Sequence, residues 1–406
     1  MSPSVAPATP PTSVRHIEAA VARHPRLGRA YLDGMWVGDP LADACAQEAV
    51  RLGRGRYMRL LRLALAEGIE AVPDAPDALI ALFAELDSVP PWVDLAAIDL
   101  GVRDIARYSR EMGIVLGAAS LLTGYANPTA SRPLEMTGRY IESAGMRTIE
   151  VGTWLRSVSS IGGLERFSVG FERTVRVRMI HAFVRQHLRD APEWDRDAWG
   201  EPISQAHLAY TIDEFCLVLL RALARIGVSF RAHEVADGFY ARWRYLGYLL
   251  GVAPDLLPAD QRDQEVLEEL HLMTRPPMEE FCRALVRGIN AEFLEPEVSL
   301  ILGPVKRWSP TVVHGLERLF MGNDLCDDLG VPASPIGPLV GLLGRPVGLA
   351  NRALDRSERL VEWRRQRGVA FTNQQQERLR VTYAVRHEMV DDSPATGAAH
   401  PARSGP

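Results

Sequence analysis

The feature that most constrains this chain is the period of its apolar residues. Almost everything between the two tails repeats them at steps of three and four, and alternating runs of β-branched residues are nearly absent. Such a pattern buries a core only by packing helix on helix, so it predicts an all-α fold. Helical patterns cover roughly 41–70, 77–86, 95–124, 135–158, 172–190, 204–227, 231–252, 262–272, 276–292 and 309–322, with a last amphipathic stretch near 349–367. Val89-Pro90-Pro91-Trp92 reads as a stiff turn, and 331–348 (VPASPIGPLVGLLGRPVG) as a long connector packed over the body. No internal repeat and no clear linker divides the body. The expectation is a flexible N-terminal segment over 1–30, one large helical domain over 31–385, and a disordered tail over 386–406.

Bulk composition excludes some classes of partner. The 46 Lys and Arg and 51 Asp and Glu are intermixed along most of the chain, and the net charge of −5 gives no electrostatic reason to expect nucleic acid or an anionic membrane as partner. Four scattered cysteines without a CxxC motif fit a reducing cytoplasm. Residues 1–14 carry neither the basic region nor the apolar region of a secretory signal and read as a flexible leader. The most membrane-like stretch, Gly113–Leu122, is far shorter than the ~20 residues a bilayer demands, so a buried core helix is expected and no membrane span.

Two neighbouring helices carry unusual polar residues. In 172–190, Val177, Ile180, Val184 and Leu188 form an apolar stripe that contains His181, whereas Arg176, Arg178, Arg185 and Arg189 fall mostly on solvated flanks. A buried imidazole needs a partner for each ring nitrogen; it is either a hydrogen-bonded core residue or a metal ligand. In 138–158, Arg147 sits among Tyr140, Ala144, Val151, Leu155 and Val158, with Thr148 on one margin and Glu150 and Trp154 towards the other. A buried guanidinium is costly unless paired, so Arg147 is either one half of a structural ion pair or part of a site. The short Gly162-Gly163 loop favours an antiparallel pair, with these polar residues turned to one cavity.

Five segments taken together resemble a known family: LDSVPPWVD (86–94), GRYIESAGMRTIEVGTWL (138–155), RVRMIHAFVR (176–185), WGEPISQAHLAYTIDEF (199–215) and RWRYLGYLLGVAPDLLP (242–258). In this order, over about 85–260, they are similar to the haem-b oxygenases that include the latex clearing proteins and the MpaB-type oxygenases. The resemblance implies a globin-like helical core holding one non-covalent haem b, its iron ligated by His181 and Arg147 on the opposite, distal side. It further implies an oxidoreductase, an oxygenase or peroxygenase, that oxidises a hydrophobic small molecule with dioxygen or peroxide.

Arg147 could hold a haem propionate, polarise the oxidant or position an acidic substrate. Glu150 could shuttle protons or simply pair with Arg147, and Thr148 could donate to the oxidant or bond back to the Ala144 carbonyl. Arg242 would suit a propionate contact. Ser204 is a fitting N-cap after Pro202, and Gln205 and His207 belong either to that turn or to the pocket. In the rubber-cleaving members the distal helix reads Arg-x-x-Lys-Thr, where this chain has Arg147-Thr148-Ile149-Glu150-Val151. That difference, with the lack of a signal, speaks against polyisoprene as substrate.

Other chemistries find little support. A diiron bundle needs paired Glu-x-x-His motifs, and only Glu268-x-x-His271 is present. HExxH, GxSxG and P-loop motifs are missing, and the glycines of 341–348 follow no strand. The alternative from a different class is a non-catalytic haem-binding or structural helical protein in which Arg147 and Glu150 form a salt bridge.

Overall fold

The computed structural model describes residues 9–138 and 144–382, which are helical throughout with no strand among them. A continuous cluster of buried side chains runs from Ile17 to Val331 and joins nearly all the helices. Helix Asp77–Leu86 has the bounds expected of it, and Asp94, Asn127, Ser168 and Ser204 cap the helices that follow them with side-chain oxygens. The Pro90–Pro91 turn closes with Val93 N–H donating to the Pro90 carbonyl.

Several long expected helices are broken by π-turns. The 95–124 stretch becomes Leu95–Ile105, a 3-10 turn, Ser109–Val115, a π-segment at Leu116–Leu121 and Leu122–Gly124. Further π-segments lie at Glu214–Val218 and Asn290–Leu294. The three pack together through small residues. A Cβ on Gly117 would come within 2.6 Å of Leu294, and one on Gly124 within 2.7 Å of the Glu214 carboxylate. Among the described residues no helix is long and apolar enough to cross a membrane.

Two expectations are overturned by packing. The segment 331–348 is no connector, because Ile336–Leu354 is one helix running through Pro346. Its glycines serve close approach: a Cβ on Gly344 would lie 2.2 Å from the Arg225 carbonyl oxygen, and one on Gly337 2.6 Å from that of Gly315. The final helix is Glu358–Thr382, later and longer than expected. Nor is all of 1–30 loose chain. Helices Ile17–Arg23 and Pro25–Gly34 bury Ile17, Ala20 and Leu27 against the core. Residues 1–8 and the tail over 386–406 lie outside the described residues.

Candidate active site

Helices Ala144–Val158 and Val169–Arg189 form an antiparallel hairpin, as the Gly162-Gly163 loop led us to expect. Its closed end is backbone against backbone. A Cβ on Gly170 would lie 2.1 Å from the Gly163 carbonyl oxygen and 2.7 Å from that of Ser157. One turn further on, Trp154 Nε1 donates to Thr174 Oγ1 at 3.2 Å, and Arg173 reaches the Thr153 carbonyl at 3.5 Å. These contacts define the register, in which each step forward along 169–189 is matched by a step back along 144–158. Seven residues beyond Thr174 stands His181, and seven residues before Trp154 stands Arg147. The two sequence positions are therefore level across the hairpin.

Helical phase places them on facing sides. Gly170, Thr174, Val177, His181 and Val184 recur at steps of three and four, so His181 continues the seam that touches the partner helix. His181, Val177, Ile180 and Val184 are half-buried. On the other helix, the positions of Arg147, Glu150 and Val151 fall within about 60° of Trp154 around the axis. Thr148, though buried, lies about a third of a turn away from that seam. Glu150 is half-buried, and Tyr140 and the Arg147 side chain lie outside the described residues.

The most buried face of 169–189 holds arginines that we expected on solvated flanks. Arg178 and Arg185 are 2% and 0% exposed. Arg178 forks onto Asp39, Nε to Oδ2 at 2.6 Å and Nη2 to Oδ1 at 3.0 Å, and reaches Glu85 at 2.8 Å. Burial works to lower its pKa, but Asp39 and Glu85 outweigh that and hold the guanidinium above its ordinary value. Arg185 meets Asp43 at 2.5 Å and the Pro202 and Ile203 carbonyls at 3.1 and 3.0 Å. Arg189 bridges Asp43 and Glu201. Spaced two turns apart, Arg178 and Arg185 lock the rotation of this helix against Asp39 and Asp43, and with it the direction in which His181 points. The signal available in the sequence was that seven-residue spacing of arginines beside an apolar stripe.

Arg242 is not brought to His181. Its guanidinium, 2% exposed, donates to the Ser160 carbonyl at 3.1 Å and faces Asp99 at 3.5 Å, while Asp99 accepts from Gly162 N–H at 2.9 Å. Burial pushes Arg242 down to about 10. It ties down the closed end of the hairpin, whereas His181 lies roughly 18 Å of helix further on from Val169. Gln205 is likewise structural, bonding the Gly38 and Gly251 carbonyls and Ala253 N–H. His207 packs near His271, which stacks on Tyr210 at 3.5 Å, and burial holds His207 down at about 4. A surface cleft of about 640 Å³ opens beside Trp36, Asp43, Arg189, Arg196 and Glu201. Its charged residues pair with one another, and it lies at the C-terminal end of the His181 helix, two turns beyond His181.

Comparison with known proteins places the chain in a family. Residues 106–345, more than half of the chain, match the family described as ER-bound oxygenase mpaB/B'/Rubber oxygenase, catalytic domain. A rubber oxygenase of Streptomyces sp. (strain K30) is 24% identical over 317 residues, covering 75% of this chain and 73% of that protein. The structure of latex clearing protein LCP in the closed state superposes with a TM-score of 0.60 at 20% identity, over 78% of this chain and 84% of that one. The chain belongs to the MpaB and rubber oxygenase family and is an oxidoreductase of the oxygenase kind.

Proposed function

We propose that this protein is a haem-b-dependent oxygenase acting on a hydrophobic small molecule, with His181 as the protein's ligand to the iron. The observation that carries the reading is the hairpin register, which sets His181 and the position of Arg147 level on facing sides. The donor set fits the group. The described residues contain no cluster of three or more His, Cys, Asp or Glu able to chelate a bare ion. Haem would need only one donor from the protein, and His181 on the seam would provide it. Bound haem would supply the redox chemistry that activates dioxygen or peroxide.

The chain's own residues would do the rest, in a core of globin-like arrangement. Val177, Ile180 and Val184, half-buried like His181, would give the His181 side a hydrocarbon lining. The Asp39–Arg178 and Asp43–Arg185 pairs keep the imidazole aimed across the seam. Arg147 would orient an anionic group or the oxidant from the opposite helix, and Glu150 would hold or release a proton there. Thr148, off the seam, fits a supporting role better than a catalytic one. Buried free cysteines are in keeping with a cytoplasmic location.

The test is the absorption spectrum of the haem-reconstituted chain. A Soret band that is lost or strongly shifted in His181→Ala supports the reading, and its absence from the wild-type protein sinks it. Consumption of oxygen or peroxide with an apolar substrate, abolished in Arg147→Ala while the band persists, separates turnover from passive haem binding.

A further inference from the structure

Helix Ile336–Leu354 is inside out. Its buried positions are Gly337, Gly344, Gly348 and Asn351, which lie on one side and meet the rest of the fold through backbone contacts and an Asn351 bond to the Gly227 carbonyl. Its leucines point away: Leu339, Leu342, Leu343 and Leu349 are 57%, 75%, 55% and 63% exposed, and Val347 is exposed beside them. A helix that needed only to cover the core would place these residues the other way round. A contiguous exposed apolar face of this kind marks an interaction surface.

Charge identifies the occupant. No acidic residue occurs from 336 to 354, and the helix's two charged side chains, Arg345 and Arg352, are exposed and lie seven residues apart on one margin of the leucine face. Arg356 follows just beyond, also exposed. Leucines flanked by arginines along 19 residues, about 28 Å, match a helix lying in the plane of an anionic bilayer surface. A second copy fits less well, since two-fold pairing about the helix centre would bring Arg345 against its own copy. The overall charge of −5 hides this local excess.

We infer that the exposed face of Ile336–Leu354 docks the protein on a membrane surface containing anionic lipid, without spanning it. The inference is independent of haem and of His181. The test is co-sedimentation of the full-length chain with phosphatidylcholine vesicles, with and without phosphatidylglycerol. The expected result is binding to the anionic vesicles, release by high salt, and a drop of at least ~10-fold in partitioning for the combined Leu339→Gln, Leu342→Gln and Leu343→Gln variant. These three side chains are exposed, so the thermal unfolding of the variant should match wild type. Arg345→Glu with Arg352→Glu should remove the preference for anionic lipid. The inference is overturned if wild type stays in solution with both vesicles, or if neither variant alters binding. A dimer in sedimentation velocity that the leucine variant dissolves, without any vesicle binding, would assign the face to a second copy and overturn it as well.

Discussion

The Trp154 indole donates to the Thr174 hydroxyl at 3.2 Å, and Thr174 in turn donates to the Gly170 carbonyl at 2.7 Å. This relay sits between the closed end of the hairpin and the level of His181, and it joins the two helices in one register. All three groups are buried, so no water replaces a missing partner. Thr174→Val keeps the shape and removes the acceptor, leaving a buried indole N–H unpaired. The expected loss is about 1–3 kcal/mol of unfolding free energy, measured by denaturant titration.

The closed end itself depends on missing side chains. Gly170→Ala would drive a Cβ into the Gly163 and Ser157 carbonyl oxygens, contacts between backbones that no rotamer change relieves. We expect at least ~2 kcal/mol of destabilisation. Gly152, on the same hairpin, is exposed, and a Cβ there would meet nothing within 4 Å. Gly152→Ala should therefore stabilise by about 0.5–1 kcal/mol through helix propensity alone. Thermal unfolding of both variants checks the pair, and equal behaviour would contradict it.

The ion pairs under the His181 helix make a sharper forecast. Arg178→Ala leaves Asp39 buried and unpaired and is expected to cost about 3–5 kcal/mol. Arg178→Lys should recover little, because an ammonium cannot reproduce the two-pronged contact with Asp39. Arg178→Met combined with Asp39→Leu should cost less than Arg178→Ala alone, since no fully buried charge is then stranded and what is lost is the partly exposed Glu85 contact and the Asp39 cap on Ala42 N–H. A denaturation series across the three proteins measures this, and the opposite order would show that the charges do not act as a pair.

These arginines also show where the sequence could be read and where it could not. Period alone was enough for Asp77–Leu86, and turn chemistry for Ser204 and the Gly162-Gly163 hairpin. The stripe of Val177, Ile180, His181 and Val184 was recognised, but it is the seam towards a partner helix. The deepest face carries Arg178 and Arg185. The seven-residue spacing of the two arginines is the one hint inside the helix, and their neutralising carboxylates, Asp39 and Asp43, lie about 140 residues earlier. Glycines misled in the opposite sense, since Gly337, Gly344 and Gly348 look like punctuation and act as packing surface. Arg242 carries the right charge for a propionate, yet the register puts it at the wrong end of the hairpin.

Stability should depend on pH through buried titratable groups in the helical core. Burial raises Glu214 to about 8, and Glu317 likewise, so each is neutral in the folded protein where an unfolded carboxyl near 4.5 would be charged. A raised folded pKa means that this contribution is complete below about 4.5 and is lost as pH rises towards 8. His207 acts in the other direction: lowered from 6.5 to about 4, it destabilises the fold as pH falls through that range. The melting temperature should therefore fall from pH 5 towards pH 8 in wild type. Glu214→Gln, which stays neutral throughout, should flatten that slope. An unchanged slope would mean that Glu214 is ionised in the folded state.

Glu150 is where this chain departs most plainly from the Arg-x-x-Lys-Thr pattern, and the structure puts it on the Trp154 side of its helix, towards the seam and half-buried. A carboxylate there can accept a proton and return it, which the lysine of that pattern, cationic at neutral pH, does less readily. Glu150→Gln keeps the size and removes the carboxylate. With haem held as proposed, its absorption should be unchanged in this variant, while turnover should fall by roughly 10²–10⁴-fold. A structural role predicts the reverse pattern: lower melting temperature and an intact rate per folded molecule. Measuring rate, spectrum and melting temperature on the same preparation distinguishes the two, and full activity in Glu150→Gln would remove this residue from the chemistry.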